Sequence, residues 1–568
     1  MSIPSTTRLA DLLKRTELFK DDQIKALLEQ KIEGNTSITR RVIEAGYVPE
    51  EAFLTAVGKA MGYPFIRLND VKIEAPVLAR LPAKVVFQYN VIPLQIENSV
   101  LRVVTNDPFN SNLADALRLV SGLRIRLSLS LTADIAKAIN KFYGVGADTM
   151  ERLIEDNRIE VPQEEIMAKV DLSDLDQEAS IVKFVNQIVW EAYKDRATDI
   201  HFEPMEDELR IRYRVDSVLH QTSMPPQLKR FQAAIVSRIK VMANMDIAEK
   251  RLPQDGRIGL SIHGEDLDIR VSTIPTVYGE SVSLRLLTRK SGLIGLEGIG
   301  MSPKDEAIIR KLINKPNGIL LVTGPTGSGK STTLYACLHT INSIEQRIIT
   351  VEEPIEYEMK GINQIQVRPE IGLTFAMGLR HILRQDPNVI MVGEIRDFET
   401  AEIAIRASLT GHLVFSTLHT NDSAGAITRL IDMGVEPFLV SSSVEAIIAQ
   451  RLVRVLCDQC KRPVKPDNPM LKSVAAVKEL VGATVYEAVG CEKCPRRSGY
   501  LGRLGIFENL LVTDDIRSLI MSREASNVIK QKALQQGMQT LRDDGWLKVR
   551  NGTTTIEEVL RVTEEEEA

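Results

Sequence analysis

Eight consecutive residues near the middle of the chain have the types and spacing of a loop that binds phosphate. They are Gly324, Pro325, Thr326, Gly327, Ser328, Gly329, Lys330 and Ser331, followed by Thr332. Glycines allow successive backbone N–H groups to point towards a polyphosphate, and the helix that follows adds its positive end. Lys330 supplies a charge for the β- and γ-phosphates, and Ser331 supplies an oxygen for Mg²⁺. The pattern predicts a nucleotide-binding P-loop, with a glycine-rich surface turn as the alternative.

Acidic residues and histidines follow further apolar runs. Glu394 comes directly after residues 389–392, where P-loop enzymes place the acid that faces Mg²⁺ and the attacking water. Glu352 and Glu353 follow another run, and a carboxylate there would orient or deprotonate water unless the segment is simply a solvated acidic loop. His419 is predicted to sense the γ-phosphate, whereas a structural role stays open for His412.

These groups need a framework that brings them together. Short apolar runs at residues 319–323, 348–351, 389–392 and 413–417 are separated by segments of helical length. Such alternation is typical of a parallel sheet covered on both faces, with ligands bound at the carboxyl ends of the strands. The sequence therefore predicts an α/β nucleotide-binding core.

Four of the five cysteines form two C-x-x-C pairs. The pairs are Cys457 with Cys460 and Cys491 with Cys494. Four thiolates suit tetrahedral Zn²⁺, and a redox pair is the alternative. Cys337, which follows the P-loop, is predicted to be a small core residue.

The remaining chain divides by pattern. Residues 1–62 hold a weak repeat of helical hairpins, 63–144 a small α+β domain, 145–177 a polar linker, 178–290 a second α+β domain, and 291–568 the P-loop domain.

A net charge of −5 and 5% aromatic residues disfavour a nucleic-acid partner. Since no apolar run approaches the length of a membrane span and no signal pattern begins the chain, we expect a cytosolic protein that meets membranes through partners.

Several motifs together resemble a known family. Residues 323–331, 351–357, 383–397 and 411–422 are similar to the Walker A, Asp box, Walker B and His box of the ATPases that drive type II secretion and type IV pilus assembly. Residues 196–204 and 270–280 resemble the PAS-like domain that precedes the motor in this family. Glu353 stands where the Asp box usually has Asp, which leaves open which carboxylate of the box acts on water.

The resemblance implies a RecA-like, Mg²⁺-dependent ATPase that works as a cytosolic hexamer. It would lie at the inner membrane through a platform protein, and it would power assembly of pili or secretion pseudopili. A tetracysteine zinc insertion is a feature of the assembly members. Arg257 and Arg270 are implied to face the nucleotide, although solvated strand arginines are the alternative. Two rival functions are a nucleic-acid translocase and a nucleotide-gated scaffold without turnover.

The N-terminal repeat resembles a module that binds cyclic di-GMP in some of these ATPases. The family motif begins Arg-Leu-Gly and has a Gly in the middle of each copy. Here the first copy reads Arg8-Leu-Ala10 with Glu17 at the Gly position, and the second copy keeps Gly46. Glycine permits close approach of a phosphate, whereas Glu17 adds a repelling charge. A plain docking module for another protein is the alternative.

Overall fold

The computed structural model describes residues 6–16, 18–29, 38–68, 71–110, 112–143, 172–224, 226–262, 264–288, 294–464, 477, 480 and 482–563. The chain forms two compact units, Met1–Leu286 and Leu287–Ala568. Each unit has its own hydrophobic cores.

The first unit is built from helices and two separate sheets. Its helices are α1 (Thr6–Arg15), α2 (Asp21–Glu29), α3 (Ile38–Ala45), α4 (Glu50–Met61), α5 (Ala75–Leu78), α6 (Ala83–Tyr89), α7 (Leu113–Ser121), α8 (Thr132–Tyr143), α9 (Leu172–Lys194) and α10 (Gln232–Met242). Its strands are β1 (Val91–Glu97), β2 (Val100–Thr105), β3 (Arg124–Leu129), β4 (Ala197–Pro204), β5 (Leu209–Val215), β6 (Val218–Gln221), β7 (Gln254–Ile262), β8 (Glu265–Thr276) and β9 (Gly279–Thr288).

Each group of helices and strands in this unit encloses a separate hydrophobic core. The helices α1 to α4 bury Leu13, Val42 and Phe53 among themselves. The strands β1, β2 and β3 form a small mixed sheet in that order, which packs with α5 to α8. The strands β4 to β9 form an antiparallel sheet of order β6-β5-β4-β9-β8-β7, and α9 and α10 pack on it. The first unit therefore contains one group of helices and two sheets, each with its own hydrophobic core.

The helix α9 begins at Leu172, inside the segment predicted to be a linker. The residues that open it, Asp174, Asp176 and Glu178, are acidic and hide any apolar period. The segment therefore has the composition of a linker in the sequence, although the helix begins within it. The remainder of the predicted linker, 145–171, lies outside the described residues.

The second unit contains the sheet that positions the candidate site. Its strands are β10 (Gly318–Thr323), β11 (Ile348–Glu352), β12 (Ile362–Gln366), β13 (Val389–Val392), β14 (Leu413–Leu418), β15 (Val444–Leu456), β16 (Arg462–Pro463), β17 (Tyr486–Glu487) and β18 (Tyr500–Leu511). Its helices are α11 (Pro303–Leu312), α12 (Lys330–Ile341), α13 (Phe375–Ile382), α14 (Phe398–Leu409), α15 (Ser423–Asp432), α16 (Pro437–Ser443), α17 (Asp514–Met521), α18 (Ser526–Gln535), α19 (Leu541–Arg550) and α20 (Ile556–Val562).

The main sheet has the order β12-β11-β13-β14-β10-β15-β18. Its neighbouring strands are parallel except for β15 and β18, which pair antiparallel. Alternate residues of each strand enter two different cores, so that Leu321 faces one core and Leu320 the other. The predicted RecA-like α/β fold with a sheet covered on both faces is confirmed, and Cys337 is fully buried in the second core as expected.

None of the helices that the structure describes combines the length and the apolar character that a membrane span requires.

Candidate active site

The P-loop connects β10 to α12 and runs close to β15. Gly324 and Gly329 have positive φ angles of 148° and 90°. A Cβ atom at Gly324 would lie 2.5 Å from the carbonyl oxygen of Gln450, and one at Gly329 would lie 2.8 Å from the Gln450 side-chain nitrogen. Larger residues at these two positions would therefore clash with β15. Thr333 donates a hydrogen bond to Gln450 at 2.7 Å, which fixes the start of α12 against the same strand.

Lys330 is the cation of this loop. Its side chain is 9% exposed, and its ammonium group donates hydrogen bonds to the carbonyl oxygens of Gly324 (2.8 Å) and Pro325 (3.1 Å). Burial lowers the pKa of Lys330 to about 8, Glu394 acts in the opposite direction, and the charge of Arg451 lowers it further. Ser331 follows at an exposed position. The loop thus carries a buried cation followed by an exposed hydroxyl side chain, and their roles at phosphate and Mg²⁺ remain predictions.

Glu394 lies at the carboxyl end of β13, between β11 and β14. The backbone here is fixed on both sides, because the Gly393 N–H donates to Val351 and the Ile395 N–H donates to Thr417. His419, at the end of β14, places Nε2 3.0 Å from Glu394 Oε2. The structure therefore brings Glu394 and His419 together next to the P-loop strand.

Arg396 joins two carboxylates of this site. Its guanidinium lies 2.9 Å from Glu353 Oε2 and also forms an ion pair with Glu394 Oε1. The hydrogen bond to Glu394 raises the pKa of Arg396. Sequence reasoning did not single out Arg396, although its place two residues after Glu394 was a usable signal.

Glu352 has a different environment from Glu353. Its side chain is 4% exposed and accepts hydrogen bonds from the hydroxyl groups of Tyr335 and Thr350 and from the amide of Gln364. Glu352 therefore lies within the protein interior, whereas Glu353 lies on the side of Arg396 and Glu394.

His412 and His419 flank the apolar run 413–417 and lie at opposite ends of β14. His412 precedes the strand, and its Nδ1 lies 2.9 Å from the carbonyl oxygen of Ala407. His419 follows the strand at the end where Glu394 lies. The contact of His412 therefore fits a structural role, and the hypothesis that a histidine senses the γ-phosphate concerns His419 alone.

Arg257 and Arg270 belong to the first unit. They are direct partners across the antiparallel pair β7 and β8, with Arg257 exposed and Arg270 half-buried. Their proposed role at the nucleotide remains a prediction.

The cysteine pairs come together in one cluster. The Sγ atoms of Cys457, Cys460, Cys491 and Cys494 all lie within 4.8 Å of one another, and the four residues form no disulfide. The Cys457–Cys491 and Cys460–Cys494 sulfur distances are 3.8 Å and 3.5 Å. Tetrahedral Zn²⁺ with Zn–S bonds of about 2.3 Å places its sulfurs roughly 3.8 Å apart. The donor set and spacing fit a structural zinc ion.

We expect one tightly held Zn²⁺ per chain, because four converging thiolates supply a closed tetrahedral site. Metal analysis of protein purified without chelator should give about one zinc per chain. Cys457→Ser combined with Cys491→Ser should lose the metal, whereas Cys337→Ala, which removes a buried thiol elsewhere, should keep it. Zero zinc in the parent protein, or full occupancy in the double variant, would contradict this assignment.

Comparisons with known proteins identify the family to which the chain belongs. A family model described as "Type II/IV secretion system protein" matches residues 174–561, and one described as "MshEN domain" matches residues 61–149. The chain is 40% identical over 558 residues to the type IV pilus assembly ATPase PilB of Myxococcus xanthus, covering 97% of this chain and 98% of the relative. It is 40% identical over 565 residues to the type II secretion system protein E of Xanthomonas campestris, covering 98% and 99%. It is 50% identical over 430 residues to the type II secretion system ATPase E of Vibrio cholerae, covering 76% and 83%.

Proposed function

Because the chain belongs to the type II/IV secretion system protein family, whose members include secretion and pilus assembly ATPases, we propose that it hydrolyses ATP in a Mg²⁺-dependent reaction that powers assembly of type IV pili or type II secretion pseudopili. The observation that carries the proposal is a group of three residues. Glu394 and His419 follow the carboxyl ends of β13 and β14, and Lys330, the first residue of α12, lies close enough for the charge of Glu394 to act on it. The group combines an ammonium ion that can bind phosphate, on Lys330, with a carboxylate that can accept a proton from water, on Glu394.

The residues of the site divide the work of hydrolysis. The P-loop amides and Lys330 hold the phosphate oxygens of ATP. Oxygens of Ser331 and Glu394 would hold Mg²⁺, which neutralises charge on the β- and γ-phosphates when bound. Glu394 accepts a proton from the attacking water, and His419 orients Glu394 through its Nε2 contact. His419 also supplies the donor that responds to loss of the γ-phosphate.

We propose a homo-hexameric ring that works in the cytosol and moves an inner-membrane platform protein. The similarity to pilus assembly and secretion ATPases over nearly the whole chain supports this arrangement. Light scattering of the purified chain with ATP should give about six times the mass of one chain. A stable monomer under every nucleotide condition would contradict the ring.

The ATPase proposal is tested by measuring phosphate release from the full chain with Mg²⁺ and with EDTA, each with and without DNA. We expect release that requires Mg²⁺ and is unchanged by DNA, because the chain has a net charge of −5 and few aromatic residues for stacking on bases. Strong stimulation by DNA would favour a nucleic-acid translocase. Absence of release under all conditions would favour a nucleotide-gated scaffold.

We also propose that Arg257 or Arg270 places a cation at the γ-phosphate, where it would stabilise the negative charge that develops during transfer. Replacing the acting residue with Ala should reduce turnover about tenfold or more without changing nucleotide affinity. Arg210→Ala is a matched control, because Arg210 is a strand arginine of the same unit that pairs with Glu208. Turnover at the parent rate in both single variants would overturn the proposal.

For the N-terminal module we propose cyclic di-GMP as ligand. The support is the repeat of residues 1–62 and a groove of about 570 Å³ beside α1 and α4, where Arg15 and Lys59 offer two cations to an anion. Glu17 lies outside the described residues, and Gly46 has a positive φ of 67° that favours glycine. Calorimetry with cyclic di-GMP should detect binding that Lys59→Ala weakens. No heat of binding would favour the docking alternative.

A further inference from the structure

Glu352 is a carboxylate whose oxygens are already engaged inside the protein. Thr350 donates to Oε1 at 2.5 Å, Gln364 donates to the same oxygen at 3.1 Å, and the Tyr335 hydroxyl donates to Oε2. Burial of a carboxylate is costly unless hydrogen bonds replace its water. This set of donors therefore explains how Glu352 stays buried, and it leaves the carboxylate poorly placed to take a proton from an attacking water.

Tyr335 links this carboxylate to the phosphate-binding helix. It lies on α12 four residues after Ser331, so the two side chains lie on the same helical face. Its ring is almost completely buried. Burial and the neighbouring charge of Glu352 raise the pKa of Tyr335 well above its ordinary value, and the hydroxyl therefore remains a donor at any working pH.

The same tyrosine also contacts the acidic loop that follows β11. The Glu356 N–H donates to the Tyr335 hydroxyl at 3.3 Å, and the rings of Tyr335 and Tyr357 meet edge to face with centroids 4.6 Å apart. Tyr357 is in turn hydrogen-bonded to Thr332 of α12. The loop is thus attached to α12 at several points around Tyr335.

Gln364 forms a second connection between Glu352 and this loop. The Gln364 amide donates both to Glu352 and to the carbonyl oxygen of Tyr357, at 3.1 Å and 3.2 Å. Glu353 begins this loop and pairs with Arg396, which also pairs with Glu394. A shift of the loop would therefore be passed to the catalytic carboxylate through Glu353 and Arg396.

We propose that Tyr335 is a positioning residue for hydrolysis, and that Glu352 is the anchor through which it fixes the acidic loop against the P-loop helix. This inference rests on the proposed ATPase function. It assigns the acceptance of a proton from the attacking water to Glu394, with Glu353 beside it. Glu352 does not contact that water. Small misplacements of reacting groups are costly, since about 1 Å can lower a rate by roughly a hundredfold.

The test begins with Tyr335→Phe, which removes one hydroxyl and keeps the ring. We expect kcat to fall about tenfold, while KM and ATP affinity stay within about twofold, because the phosphate contacts are untouched. Tyr500→Phe is the matched control, since Tyr500 is another buried tyrosine of the same unit whose hydroxyl bonds to Thr555 at 2.9 Å. It should lose similar stability and keep the parent kcat.

A double-mutant cycle distinguishes positioning from direct catalysis. Glu352→Gln should lower kcat about as much as Tyr335→Phe, and the combined variant should be no slower than either, because the two residues act through one contact. Parent kcat in Tyr335→Phe, or effects that multiply in the double variant, would overturn the inference. Complete loss of turnover in Glu352→Gln with an active Tyr335→Phe would also overturn it, by making Glu352 the group that acts on water. A parent chain that releases no phosphate would instead contradict the proposed function itself.

Discussion

Replacement of Glu394 by Gln is expected to lower phosphate release by roughly a hundredfold or more while ATP still binds. Gln keeps the length of the side chain and can still meet His419, but an amide cannot accept the proton of the attacking water. The measurement pairs single-turnover phosphate release with ATP affinity at saturating Mg²⁺. Together they separate loss of chemistry from loss of binding.

The matched control for this change is Glu399→Gln. Glu399 lies on α14 in the same unit and pairs with Arg380 on the surface, so the substitution removes the same charge away from the site. An exposed ion pair contributes at most about 1 kcal/mol to stability, and we expect the parent rate. Near-normal phosphate release by Glu394→Gln would show that the catalytic carboxylate has been assigned to the wrong residue.

The framework of the site could be predicted because its signals are local. Continuous β-branched runs between helical segments indicated the parallel strands, and the observed β13 has the predicted bounds, Val389–Val392. Since the carboxyl ends of parallel strands lie at one edge of a sheet, Glu394 and His419 were expected to come together, and they do. Their chemical roles remain proposals that the variants test.

The difference between Glu352 and Glu353 could not be read from the sequence. Successive strand residues point to opposite faces of a sheet, so one of the two had to lie on the side of the P-loop helix. Which one depends on the face that α12 covers, and that is settled only by packing between distant segments. In the structure Thr350 and Glu352 share the face of Tyr335.

Tyr335 and Arg451 were missed for a related reason. Tyr335 sits among apolar residues of α12 and has the pattern of an ordinary core aromatic. Arg451 lies on β15, far from the P-loop in sequence, yet its charge contributes to lowering the pKa of Lys330. Contacts of this kind join segments with no local pattern in common.

Lys330→Ala is expected to abolish hydrolysis and also to weaken nucleotide binding about tenfold or more, since the cation on the phosphates is lost. This separates it from Glu394→Gln, for which binding should persist. Lys315→Ala is the control, because Lys315 is a partly exposed lysine of the same unit that pairs with Glu445 at 2.7 Å. Titration with a fluorescent nucleotide analogue measures the affinities, and unchanged affinity in Lys330→Ala would contradict the assigned role.

Because Lys330 is buried, the contact between its ammonium group and the phosphates of ATP should depend on pH. Its pKa of about 8 in the free protein means that the ammonium group is largely charged below pH 8 and loses its proton above it. Phosphate oxygens favour the charged form, so binding raises this pKa and takes up a proton on the alkaline side. The affinity for ATP should therefore be level below about pH 8 and fall by up to about tenfold per pH unit above it. The slope should be absent in Lys330→Ala, and calorimetry near pH 9 in two buffers of different ionisation enthalpy should detect the proton uptake. An equal slope in the parent protein and in Lys330→Ala would place the titrating group elsewhere.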